Sequence, residues 1–187
     1  MGFLSLAARH AGTLAKIISA SVTVEKLTAS WLSSLGAEAV ILDHDGVLGA
    51  ARTTAPDLAG ERLIGELVKH FGKGKVFVLS NTRSARAARS REYARLYPDI
   101  IYITAARKPD PEGLYIASRL SGVPLEKIAM IDDGPLTGLL MALEAGAIPV
   151  YAIRENLAET ASQLAIRLGV TLPQIALVRL LALFAAR

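Results

Sequence analysis

Asp43 and Asp45 stand one residue apart in ILDHDGVLGA, directly after an apolar run, and a second acidic pair, Asp132 and Asp133, closes KIAMIDDG. Between these pairs, KVFVLSNT runs out in Ser80 and Asn81, and RKPDP carries Lys108. Carboxylates gathered at one place repel unless a divalent cation neutralises them, and oxygen donors suit Mg²⁺. A carboxylate can attack phosphorus to give an aspartyl-phosphate. A second carboxylate two residues on can protonate the leaving oxygen and then activate water. A hydroxyl and a lysine can stabilise the equatorial oxygens of a phosphoryl group in transfer. These residue types suit phosphoryl transfer at a hard cation, provided that the fold brings them together.

The elements around them supply that condition. AEAVILD, KVFVLS, IIYIT, KIAMID and AIPVYAI are short and apolar throughout, with Gly36 and Gly46 bounding the first, and read as buried strands. Helices alternate with them. Phe3, Leu6, Ala7, Leu14, Ile17 and Ile18 form one stripe within residues 1–20, and a short helix is expected over 24–35. The segment TTAPDLAGERLIGELVKHFG resembles a helix start with Thr54 and Asp57 as a capping box and Pro56 in its first turn. SARAARSREYARLY is a further helix, PEGLYIASRL is one with Asp110 as N-cap and Pro111 at its first position, and TGLLMALEAG is closed by Gly146. The chain then offers two separate helices, LAETASQLAIRL and PQIALVRLLALFAAR. Apolar strands alternating with helices predict an α/β fold, a three-layer doubly wound parallel sheet. Ligands in such sheets collect at the carboxyl ends of the strands, where the candidate residues all fall. Side-chain alternation sends Asp43 and Asp45 to one side and His44 away from it, while Gly46 permits the sharp turn that follows.

Composition narrows the chemistry. The 187 residues suffice for one domain with a sizeable core, here read as a helical leader over 1–36 and a main domain over 37–187. The absence of cysteine excludes disulfides, thiolate metal sites and a cysteine nucleophile. The three histidines give no metal-ligand cluster, and Trp31 reads as a packing anchor. Apolar residues make up 52% of the chain, yet no uncharged apolar run reaches the length of a membrane span. A formal net charge of +4 fits an anionic substrate, an anionic lipid surface or nucleic acid. Tyr93, Tyr97 and Tyr102 near several arginines form no recognised nucleic-acid motif, so no nucleic-acid partner is expected.

LDHDGVL resembles the first motif of the haloacid dehalogenase superfamily, VFVLSNT its second, Lys108 in RKPDP its third, and AMIDDG its acidic fourth. The four stand in the family's order, each at or soon after a predicted strand. The resemblance implies Asp43 as nucleophile and Mg²⁺ ligand, and Asp45 as general acid and base with its backbone carbonyl on the metal. It implies Ser80 on the phosphate, Lys108 screening nucleophile and phosphate, and Asp133 on the metal, with Asp132 sharing that task in a division left open. Gly46, Asn81 and Arg83 join Asp43, Ser80 and Lys108 as phosphate-binding candidates. Asp45 itself argues for phosphate chemistry, because dehalogenases lack the second aspartate. One departure stands out: DDGPLTG carries Gly138 where a common form of the fourth motif has a further acid.

The 37 residues from Asp43 to Ser80 and the 28 from Ser80 to Lys108 each hold one helix, so no large cap domain is expected. Size, layout, the SN of motif two and the KP of motif three are similar to the uncapped YqeG-like and mitochondrial phosphatidylglycerophosphatase group. That implies a phosphomonoester substrate on an anionic lipid. A soluble sugar phosphate or nucleotide is the alternative, and a catalytically inactive binding protein a more distant one. Arg83, Arg86, Arg89, Arg91 and Arg95 read as a solvated helix face, with Arg83 nearest to a bound phosphate. IALVRLLALFAAR is too short to span a bilayer and suits either an interfacial position or packing on the core or a homo-oligomer. A cytoplasmic protein with a peripheral membrane contact is the expected setting.

Overall fold

A computed structural model describes residues 3–81, 86–155 and 161–185. Its centre is a six-stranded, wholly parallel sheet. The strands are β1 (Val22–Thr23), β2 (Ala39–Leu42), β3 (Val76–Leu79), β4 (Ile101–Ile103), β5 (Ile128–Asp132) and β6 (Ile148–Ile153), arranged β1-β6-β5-β2-β3-β4. β2 pairs with β3 through Val40–Val76 and with β5 through Ile41–Met130, so the central strands end level with one another.

The sheet is apolar on both faces because helices cover both. Val40, Leu42, Val76, Val78, Ala129 and Ile131 face Leu32 of α2 (Ala29–Ser34), Leu63, Ile64 and Leu67 of α3 (Leu58–Phe71) and Tyr93 of α4 (Arg86–Leu96). The alternate residues Ile41, Phe77, Leu79, Ile128 and Met130 face Leu114 and Ala117 of α5 (Glu112–Ser121) and Met141 and Ala142 of α6 (Leu140–Ala145). This is the expected three-layer, doubly wound sheet. One helix each fills the β2–β3 and β3–β4 connections, so neither carries a large cap. The chain runs outward from β2 to β4, then returns to β5 on the other side of β2. The ends of β2 and β5 therefore flank the topological switch point, where such sheets bind ligands.

Several local expectations change. Asp57, rather than Thr54, caps α3: its Oδ1 accepts from Ala59 N at 3.1 Å and Gly60 N at 3.0 Å. Pro56 accordingly lies ahead of the cap. At the start of α5 the N-cap place falls to Pro111 rather than Asp110, one residue later than expected, although Asp110 does accept from Glu112 N at 2.9 Å. The helix expected over 24–35 is a 3₁₀ turn, Val24–Lys26, followed by α2, with Thr28 accepting from Trp31 N at 3.2 Å. Trp31 itself is partly exposed rather than a buried anchor. The two-residue β1, too short for a periodicity signal, extends the sheet beside β6.

The largest change is at the C-terminus. α7 (Ala161–Ile166), a π-helical turn (Arg167–Thr171) and α8 (Leu172–Ala185) run on as one helix rather than two. Pro173 marks a helix start in sequence because it has no N–H to donate. The wider turn just before it takes up that break without ending the helix. Leu164–Phe184 thus makes 21 continuous helical residues, long and apolar enough on those grounds alone to cross a membrane. Along one side this helix packs on α1 (Phe3–Ser19) and on the turn Pro135–Leu139, and Ala7, Leu14, Leu139, Leu140 and Val178 are buried in the apolar cluster they share.

Candidate active site

Asp43 directly follows β2, and its N–H continues the ladder to Ile131 O at 2.9 Å. Its Oδ1 accepts from His44 N at 2.8 Å and from Lys108 Nζ at 2.7 Å. Lys108 Nζ also reaches Asp132 Oδ2 at 2.5 Å, so one buried ammonium joins two strand ends. Asn81 sets the position of that lysine. Its amide donates to Lys108 O at 2.9 Å and accepts from Lys108 N at 2.8 Å.

Asp132 and Asp133 differ in what holds them. Asp132 accepts from Gly134 N at 2.6 Å as well as from Lys108. Among the described residues no donor reaches the Asp133 carboxylate, which is only partly buried and faces the site. Oxygens of Asp43, Asp132 and Asp133 all lie within 4.8 Å of one another, and these carboxylates form a donor set that suits a divalent cation. Gly46, at φ +87°, lies so close to Asp133 that a Cβ there would run into its carboxylate. Gly138 does the same for Asp132: its missing side chain is the space that the Asp132 carboxylate occupies. That explains the departure at DDGPLTG, since an acid at 138 and Asp132 in its present place exclude each other.

Asp45 lies across the site. Its Oδ2 accepts from Ser80 Oγ at 3.0 Å and from Arg89 NH1 at 2.8 Å, and its Oδ1 from Arg89 NH2 at 2.6 Å. Arg52 N adds a bond to Oδ1 at 3.1 Å, from a backbone at φ +69° that few residues other than glycine adopt. Arg89 is wholly buried, so the arginines of α4 are not one solvated face. Arg95 does lie on the surface, paired with Glu92, and Arg86 donates to Thr104 O. Arg83 lies outside the described residues. His44 points into the core, as alternation requires, with Nδ1 at 2.7 Å from Tyr93 OH and Nε2 at 2.9 Å from Thr53 Oγ1.

Electrostatics follow from burial and neighbours. Burial pushes the Asp43 carboxyl up to about 7, with Lys108 pulling the other way and Asp132 and Asp45 adding to the rise. Asp133 is also pushed well up, by burial and then by Asp132 and Asp43. Burial works to depress the Lys108 ammonium, but Asp132 and Asp43 together raise it. His44 falls to about 4, first through burial and then through the Arg89 charge, which keeps it neutral.

Sequence reasoning missed two further side chains. Arg154, immediately after β6, donates to Val47 O at 2.8 Å and to both oxygens of Asp57 at 2.8 Å, tying the loop after Asp45 to the start of α3. Its place just beyond a strand end was the available signal. Gln174 of α8 accepts from Leu136 N at 3.0 Å, fixing the C-terminal helix to the turn behind Asp133. Ile166, Val170, Thr171 and Gln174 consequently form one wall of a cavity of about 260 Å³ whose other side holds the catalytic candidates. The site is thus walled on one side by this helix, although no cap domain covers it among the described residues.

What results is a rim of carboxylates and one lysine at the switch point of a doubly wound parallel sheet. The haloacid dehalogenase-like hydrolase family matches residues 9–146, and the chain belongs to that family. No curated protein matches the chain. Among solved structures, it is similar to an uncharacterised protein from Corynebacterium glutamicum, at 20% identity over 72% of this chain and 97% of that one, with a TM-score of 0.45. It is also similar to a haloacid dehalogenase family enzyme from Bacteroides thetaiotaomicron crystallised with magnesium and inorganic phosphate, at 14% identity over 69% and 99%, with a TM-score of 0.41.

Proposed function

We propose that this hydrolase is a Mg²⁺-dependent phosphomonoesterase working through an aspartyl-phosphate. The observation that carries the reading is the rim itself: Lys108 Nζ between Asp43 and Asp132, with Asp45 and Ser80 bonded to each other across the cavity. Asp43 attacks phosphorus, and Asp45 gives its proton to the oxygen that leaves. Water then attacks the phosphorus, Asp45 takes its proton, and the Asp43–phosphorus bond breaks. Ser80 and Lys108 hold the phosphoryl oxygens through both steps. Asp43, Asp133 and the Asp45 carbonyl would hold Mg²⁺, which neutralises the phosphoryl and the clustered carboxylates. Asp132, engaged by Lys108 and Gly134, serves chiefly to position the lysine. Gly46 leaves room for Asp133, and Asn81 acts through Lys108.

The substrate we favour is the phosphate of an anionic lipid of the phosphatidylglycerophosphate type, met by a peripheral membrane contact. Support comes from the C-terminal helix, which lines the catalytic cavity with Ile166 and Val170 and exposes Leu168, Leu172, Leu180, Leu183 and Phe184. Soluble sugar phosphates and nucleotides are the competing substrates, and a panel containing both kinds separates them by kcat/KM. The chemistry is tested first with 4-nitrophenyl phosphate and Mg²⁺. Asp43→Asn is expected to lose at least about a thousandfold in kcat. Equal rates for wild type and variant would sink the mechanism.

A further inference from the structure

The family motifs leave Arg89 without a part, yet it is among the most completely enclosed side chains described. It comes from α4, nine residues after Ser80, and is 0% exposed. NH1 donates at 2.8 Å both to Asp45 Oδ2 and to Ser80 Oγ, NH2 donates to Asp45 Oδ1 at 2.6 Å, and Nε to Thr53 O at 2.7 Å. The guanidinium therefore fixes two groups on which the proposed reaction depends, and fixes them relative to each other. Thr53 in turn holds the His44 ring through its hydroxyl, and His44 holds Tyr93 four residues along α4 from Arg89. The sequence from Asp43 to Asp45 is thus braced on its inner side by one helix.

Stability alone does not explain such a side chain. A buried ion pair gains little or nothing over apolar residues of the same volume, because both partners lose their water. What a bidentate fork gives is direction: two parallel bonds allow the carboxylate one orientation, where a point charge allows many.

We propose that Arg89 is the positioning residue for Asp45 and Ser80, and that it acts chiefly on hydrolysis of the phosphorylated enzyme. This rests on the phosphomonoesterase reading. In that step a water oxygen bonds to phosphorus, its proton passes to an Asp45 oxygen, and the electron pair of the broken phosphorus–oxygen bond returns to Asp43. The water has no fixed place of its own, so the angle of the Asp45 carboxylate decides whether a proton acceptor lies on its path. The first step depends less on that angle when the leaving group is 4-nitrophenolate, which departs without a proton.

The test is rapid-quench kinetics of 4-nitrophenyl phosphate with Mg²⁺ for wild type, Arg89→Met and Arg89→Lys, alongside thermal melts. Arg89→Met is expected to lower kcat about 10- to 100-fold, while the first turnover persists as a nitrophenol burst of about one equivalent per site. Arg89→Lys keeps the charge without the fork and should fall between the two, again with a burst. If Arg89→Met does not fold, the lysine variant decides alone. A folded variant with kcat within about twofold of wild type overturns the inference. So does a slowed variant without a burst, since the loss would then lie in the first step. If wild type shows no Asp43-dependent turnover, the parent reading fails instead.

Discussion

Around Lys108, charged atoms meet at 2.5 to 2.7 Å inside a rim that is almost wholly buried. A few residues away, the helix that walls the same cavity turns Leu168, Leu172, Leu183 and Phe184 outward, each at least 44% exposed. The rim is a set of paired charges whose partners cannot move without leaving a desolvated charge behind, at several kcal/mol each. The outer face of the helix is apolar surface, each residue of which contributes independently and weakly. Substitutions should therefore be felt very unequally, although the two regions border one cavity.

The sharpest way to stress the rim is to give it the acid that the common fourth motif would place at 138. If that acid were simply lost here, Gly138→Asp would restore something. Because Asp132 fills the space over Gly138, the variant must displace Asp132, and Lys108 with it, and set two carboxylates against each other. We expect kcat to fall on the order of a hundredfold and stability by about 1–3 kcal/mol, read from aryl phosphate turnover and a denaturant melt. Activity at or above the wild-type level would show that the rim tolerates a rearrangement that the packing forbids.

Titration probes the same rim more gently. Asp43 is pushed up from 3.8 to about 7, and Asp133 moves in the same direction. An acid whose folded value is raised destabilises the fold most above that value, and the cost falls away as pH drops through it. Without divalent cations, stability should rise as pH falls from 8 to about 6.5, by on the order of 1 kcal/mol or a few degrees in Tm. The window closes there because His44 works the other way. Its folded value is lowered to about 4, so protonation of the unfolded chain below about 6.5 draws stability away. Saturating Mg²⁺ needs the carboxylates ionised, so it should raise Tm most at pH 8 and flatten or reverse the slope; at a hundredfold excess over Kd the gain is about 2.7 kcal/mol. A slope that is the same with and without Mg²⁺ would mean that the cation binds elsewhere.

The same contrast marks how far the sequence could be read. The central strands were legible because each is a short apolar run followed at once by polar residues, and a parallel sheet buried on both faces leaves that imprint. Asp43, Asp45, Ser80, Asp132 and Asp133 fall at or just after strand ends for the same reason, Lys108 lies in the loop that follows β4, and the fold brings them together around one cavity. Arg89 was not legible as part of the site, because it stands among arginines that do face solvent. Only its four-residue spacing from Tyr93, the other fully buried residue of α4, marks the inward face. The single C-terminal helix was hidden by Pro173, whose usual meaning is a helix start, and by a π turn that has no sequence period of its own.

The smallest effect belongs to the end of that helix. Leu183 and Phe184 are 68% and 64% exposed, so replacing both with serine removes little that folding buries. Stability should change by no more than about 0.5 kcal/mol per site, and turnover of 4-nitrophenyl phosphate should be unaltered, because neither residue lines the cavity. A membrane contact would place this face against lipid, and there each apolar side chain adds binding free energy in proportion to the area it buries. Sedimentation with anionic liposomes at low salt should then fall severalfold for the double variant while wild type stays bound. Equal sedimentation of the two proteins would take the helix end out of the contact and leave the basic residues to account for any binding that remains.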